Sequence, residues 1–198
     1  MTQIVWDGRF LVADRRCFRN NTSFSAQKLR IQYNTSHTLA FAFAGTYEEC
    51  HLADKIMLTE DNAELIEQAK SVLVDPATNW HGLCVEKDPR HPPRLFLCNY
   101  LGMREELPLS TPFAVGALAD EIMFAYRTWE ATAKNIGVPA YHLFVPEEER
   151  TLDEFKLTKR RAQALVNFLR TVLKDTFYDQ TNFLFDVYDS VTGETLCV

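Results

Sequence analysis

A threonine stands directly behind the initiator methionine. Once Met1 is removed, Thr2 carries a hydroxyl and a free α-amine on one residue. The hydroxyl can attack a carbonyl and the amine can take its proton, the threonine–amine form of nucleophilic catalysis. An α-amine titrates close to neutrality, so it is a usable base at physiological pH. Other chemistries find less support. The five histidines, at positions 37, 51, 81, 91 and 142, form no HExxH and no spaced ligand pair with cysteine, so no metal site is expected. No GxGxxG or phosphate loop is present, and no cofactor is expected.

The elements that must position Thr2 belong to a chain of 198 residues, long enough for one domain over 1–198 with a sizeable core. Hydrophobic residues make up 46% and charged residues 24%, an ordinary globular balance. A net charge of −6 argues against nucleic acid or an anionic membrane as the main partner. The five cysteines, at 17, 50, 84, 98 and 197, include no CxxC pair, and their number is odd. They read as reduced thiols in a cytoplasmic protein, with Cys84 and Cys98 as buried free thiols. No apolar run is long enough to span a bilayer and no targeting segment is apparent.

Residues 2–6 and 9–13 read as two strands joined by the turn pair Asp7-Gly8. Asn20 to Ser25 reads as a polar loop. Leu29 to Tyr33 alternates as a half-buried strand does, and Thr38 to Ala44 is apolar enough to be buried on both faces. Helical pattern follows over 47–58 and 60–73, with Thr46 or Thr59 as caps. Strands are predicted at 81–85, 94–99 and 113–116, and a helix over 120–135. A Thr151-Leu152-Asp153-Glu154 capping box opens a helix running to about Lys174. A last hairpin pairs 182–188 with 195–198. On the helix over 120–135, Tyr126 and Trp129 share a face with spacing that suits core packing; with Phe124 they could instead serve an oligomer contact. Blocks of strands alternating with blocks of helices predict an α+β fold, a four-layer αββα sandwich with two mainly antiparallel sheets between helix layers.

Four positions fall in order at strand boundaries: Thr2 at the start of the first strand, Ala13-Asp14 at the end of the second, Lys28-Leu29 opening the third, and Ala44-Gly45-Thr46 closing the fourth. Together they resemble the N-terminal-nucleophile (Ntn) hydrolases of the proteasome β-subunit and HslV type, in particular the bacterial or phage proteasome-like branch. The resemblance covers roughly residues 2–60; beyond that only the order of elements agrees. It implies that Thr2 is the nucleophile, that Lys28 holds its charge beside it, and that Asp14 fixes Lys28. It also implies that the Gly45 N–H meets the developing oxyanion, where losing one donor typically costs about 3 kcal/mol. Phe43, Tyr47 and His51 would line the substrate pocket. A glycine suits close approach of substrate to backbone. Taken singly, Asp14 could be a turn residue, Lys28 a solvated edge charge, Gly45 an ordinary bend and Phe43 a core residue.

One departure stands beside the match. Relatives carry Gly-Ser-Gly before the third helix, where this chain has Val115-Gly116-Ala117. Asp179 and Thr181 are the candidates for the later Asp and hydroxyl pair. The resemblance implies a threonine-type peptidase or amide hydrolase acting on a peptide or protein substrate. It also implies a homo-oligomer, possibly a ring, and a possible unfoldase partner. The competing reading is a catalytically inactive proteasome-like protein serving assembly or partner binding. A third is an unrelated α/β protein whose N-terminus matches by chance.

Overall fold

A computed structural model describes residues 2–19, 22–33, 35–45, 47–58, 67, 80–99, 104–137, 154–176, 179 and 182–198. The first hairpin is β1 (Gln3–Trp6) and β2 (Phe10–Asp14), paired antiparallel from Ile4 opposite Ala13 to Trp6 opposite Leu11. Its turn uses the two predicted residues. Asp7 Oδ1 accepts the amides of Arg9 (2.9 Å) and Phe10 (2.7 Å), and Gly8 takes a φ of 101° that a side chain would resist.

These strands form the middle of a five-stranded sheet. β10 (Phe113–Gly116) flanks β1, while β11 (Phe185–Asp189) and β12 (Thr195–Cys197) continue beyond β2. A second five-stranded sheet runs β5 (Arg30–Tyr33), β6 (Thr38–Phe43), β7 (Trp80–Lys87), β8 (Arg94–Asn99) and β9 (Arg104–Leu107). The remaining strands, β3 (Arg16–Arg19) and β4 (Thr22–Ser25), pair only with each other. Every strand pairing among the described residues is antiparallel.

The period of two along β6 divides the core. Ala40, Ala42 and the following Ala44 face the first sheet, in one buried cluster with Ile4, Trp6, Leu11, Ala13 and Tyr188. Leu39, Phe41 and Phe43 face the other way and pack with Ala53, Ile56 and Met57 of α1 (Tyr47–Leu58). Alanines toward the facing sheet and aromatics toward the helix explain why the segment is apolar throughout yet has two distinct faces. On the far side of the first sheet, Val5, Phe10, Val12, Phe185 and Val187 pack against α2 (Ala119–Asn135) and α3 (Glu154–Leu173). There Tyr126 and Trp129 pack edge to face at 5.3 Å, and Trp129 stacks on Phe168 at 5.0 Å. Phe124, on the same helix, points outward with 75% of its surface exposed.

The predicted four-layer αββα sandwich of two sheets between helix layers is corrected. The chain is mostly antiparallel β, with twelve strands in three sheets and three helices among the described residues. Two strand segments account for the extra sheet and the wider second one. Thr22–Ser25, read as loop, forms the β3–β4 ribbon, and the charged Arg104–Leu107 forms an edge strand. Only α1 lies against the second sheet in the described structure. The predicted helix over 60–73 and the capping box at 151–153 fall outside the described residues, apart from helical Glu67 and Glu154.

Candidate functional site

The β1–β2 hairpin carries Thr2 and Asp14 to the same end of the first sheet. Thr2 is buried, with 4% of its surface exposed, and Asp14 is completely buried. Asp14 satisfies its carboxylate with three donors. Oδ1 accepts the Gln3 amide at 2.5 Å, while Oδ2 accepts the Arg16 amide and Lys28 Nζ, both at 2.8 Å. Lys28 Nζ also donates to the Arg16 carbonyl at 2.5 Å, and its side chain is only 10% exposed. A buried carboxylate with a matched ammonium and two amides has the bonds that keep burial of such charges affordable. One carboxylate therefore locks the lysine with one oxygen and the peptide following Thr2 with the other.

Gly45 is half-buried and follows Ala44 at the end of the core between the sheets. Phe43 lies on the opposite face of β6, beneath α1, with its ring edge to face on Phe41 at 6.0 Å. Its carbonyl accepts the Cys50 thiol at 3.5 Å. His51 is exposed on α1, and the Tyr47 side chain lies outside the described residues. Asp179 joins the site through its main chain, since its carbonyl accepts the Arg16 guanidinium. Thr181 lies outside the described residues. Thus Asp14 joins Lys28 to the peptide that follows Thr2, Asp179 is attached through Arg16, and Gly45 ends the inter-sheet core.

Three participants escaped sequence reasoning. Arg16 bridges Asp14, Lys28 and Asp179 through its amide, carbonyl and guanidinium. Gln3, buried beside Thr2, accepts the Leu118 amide at the start of α2 with Oε1 at 3.3 Å. Gly116 has a φ of 134°, and a Cβ there would run into the Thr2 carbonyl and stand 2.5 Å from Gln3 Oε1. A single polar residue before Ile4-Val5-Trp6 and the Arg15-Arg16 doublet behind Asp14 were the available signals. Among the described residues, no group of His, Cys, Asp and Glu could hold a metal ion.

No protein-family model matches the chain, and no curated protein matches it in sequence. Solved structures do. Anbu from Hyphomicrobium sp. strain MC1 superposes with a TM-score of 0.59 at 10% identity, over 100% of this chain and 87% of that one. Anbu (ancestral beta-subunit) from Yersinia bercovieri gives 0.57 at 11% identity, over 100% and 86%. The helical assembly of the Anbu complex from Pseudomonas aeruginosa gives 0.57 at 10%, over 100% and 86%. The fold is Anbu-like. At this identity the likeness shows the fold alone. It corrects the assignment to the HslV and proteasome β-subunit family: the Anbu fold is proteasome-like but distinct from that family. No helix among the described residues is long and apolar enough to cross a membrane.

Proposed function

We propose that this Anbu-like chain is a single-domain amide hydrolase of the threonine peptidase type, acting on peptide or protein substrates as a homo-oligomer. The observation that carries the reading is the shared Asp14 carboxylate, which holds Lys28 with one oxygen and the Gln3 amide with the other. In this reading, removal of Met1 frees the Thr2 amine. That amine accepts the proton of Thr2 Oγ as the oxygen attacks the substrate carbonyl, and later returns it to the leaving amine. Lys28 supplies positive charge that favours the developing threonine oxyanion. The Gly45 N–H stabilises the oxygen of the tetrahedral intermediate. The test is Thr2→Ala. The variant should fold as the parent does, by circular dichroism and thermal unfolding, and lose all peptide hydrolysis. A variant that still hydrolyses peptides overturns the assignment.

A second reading, an inactive assembly or binding protein, is favoured by Val115-Gly116-Ala117, a segment without the serine that relatives of the proteasome type carry in Gly-Ser-Gly. The Pseudomonas aeruginosa neighbour is a helical assembly of the Anbu complex, which agrees with homo-oligomerisation under either reading. Covalent labelling of Thr2 by a threonine-directed electrophile separates the two.

A further inference from the structure

We infer that Gln3 is a positioning residue for Thr2, its side-chain carbonyl clasping the end of β1 to the start of α2 so that the peptide following Thr2 cannot shift. The inference rests on the hydrolase reading of Thr2. In that reading Met1 is gone, and the Thr2 amine and hydroxyl are tied to the fold only through the Thr2–Gln3 peptide. Whatever fixes that peptide fixes the reacting atoms.

The sheet alone holds it weakly. The β1–β10 ladder ends with Gln3 opposite Gly116, and Thr2 lies one residue beyond it. The ends of such ladders are where strands open most readily. Here the last rung is tied on both sides. The Gln3 amide donates to Asp14 Oδ1 at 2.5 Å, toward β2. On the β10 side, Gln3 Oε1 accepts the Leu118 amide at 3.3 Å. Leu118 is the N-cap residue of α2 and has no side chain able to cap it, so Gln3 supplies an acceptor that the helix start lacks.

Packing does not account for a glutamine at this position. Val5 faces the helices from β1, and the period of two puts Gln3 on that face as well. Gln3 is 1% exposed there, and its Nε2 has no hydrogen-bond partner among the described residues. Burying an unmatched amide group is costly, and leucine or methionine would fill similar space without that cost. What the amide adds is the bond to Leu118. Gly116 links this bond to Thr2. A Cβ there would stand 2.5 Å from Gln3 Oε1 and 3.0 Å from Gln3 Cδ, and would run into the Thr2 carbonyl. The Gln3 side chain and the Thr2 carbonyl thus lie against the same bare Cα, and a displacement of one reaches the other. A shift of about 1 Å in a reacting group can lower a rate about a hundredfold.

The experiment compares Gln3→Met and Gln3→Glu with the parent chain. Methionine keeps the length and loses the acceptor, whereas glutamate keeps an acceptor in either protonation state. Each chain is read by cleavage of fluorogenic tripeptide amides, by kinact and KI of a peptide epoxyketone, and by denaturant unfolding. In Gln3→Met, kcat and kinact should fall roughly tenfold or more, with KM and KI within about threefold of the parent. Its unfolding midpoint should match or exceed the parent's, a combination that a merely structural residue would not give. Gln3→Glu should recover most of the lost rate. Parental rates in Gln3→Met, or a rise in KM alone, overturn the role of Gln3 and leave the hydrolase reading standing. Equal losses in both variants do the same, because the acceptor they differ in would then not matter. A Gln3→Met chain that fails to fold makes Gln3 structural and also overturns the role. A parent that neither cleaves the amides nor takes up the epoxyketone overturns both readings.

Discussion

Asp14 is the residue on which the site turns, because three donors converge on a carboxylate with no access to water. A neutral residue there would leave the Gln3 and Arg16 amides and the Lys28 ammonium competing for other acceptors. Gly116 has a comparable influence through shape. Its φ of 134° and the collision of any Cβ with the Thr2 carbonyl make even one added methyl disruptive. Gly116→Ala is expected to destabilise the chain by more than about 1 kcal/mol in denaturant unfolding. If Thr2 acts as proposed, it should also lower kcat more than it raises KM, because the displaced group is the peptide that follows Thr2. A Gly116→Ala variant with parental stability and kinetics would show that Thr2 tolerates displacement.

Among the elements, the opposite end of the first sheet is held by a second buried pair. Arg9 Nε and Nη2 bond Asp189 Oδ1 and Oδ2 at 3.0 and 2.8 Å, and Nη2 also reaches Thr158 Oγ1 of α3 at 3.1 Å. Burial pushes the Asp189 carboxyl up. The hydrogen bonds from Arg9 and the Val191 and Thr192 amides outweigh that and hold it below the usual carboxylate range. A carboxyl with a lowered folded-state value contributes stability above its unfolded value, near pH 4. That contribution is lost as pH falls further, through the folded-state value. Unfolding free energy should therefore drop as pH falls below about 4. An Arg9→Met variant should show a smaller drop over the same window; an equal drop would mean that the acid sensitivity lies elsewhere.

The elements also show what the sequence could and could not convey. Asp7-Gly8, the apolar run of β6 and the amphipathic face of α3 are local signals, and each marks the element that the structure contains. Thr2 and Asp14 border the strands of the first hairpin, which its turn made legible, whereas Lys28 lies in the loop two residues before β5. The β3–β4 ribbon was not, since Thr22–Ser25 is exposed along its length and shows no inward-facing alternation. The charged strand Arg104–Leu107 pairs at an edge through its backbone, with Arg94 bonded across to Glu106 at 2.6 Å. The clamp of Arg15 by Asp186 joins positions 171 residues apart and depends on β11 register, for which no local pattern exists.

For the molecule as a whole, the Anbu-like fold and the site at one end of the first sheet make two separate claims. Assembly is the coarser one. The purified chain is expected to run well above the mass of one copy in light scattering at micromolar concentration, as a homo-oligomer; a monomer at that concentration would contradict it. The chemical claim is that Thr2 acts with both its hydroxyl and its own amine. A peptide epoxyketone needs both groups on one residue to form its cyclic adduct, so it tests that claim directly. The measurement is intact-protein and peptide mass spectrometry of untagged protein after epoxyketone treatment. Loss of Met1 and a single adduct mapped to Thr2, absent from Thr2→Ala, is the expected result. Retained Met1, or a free Thr2 that takes up no probe, would contradict it.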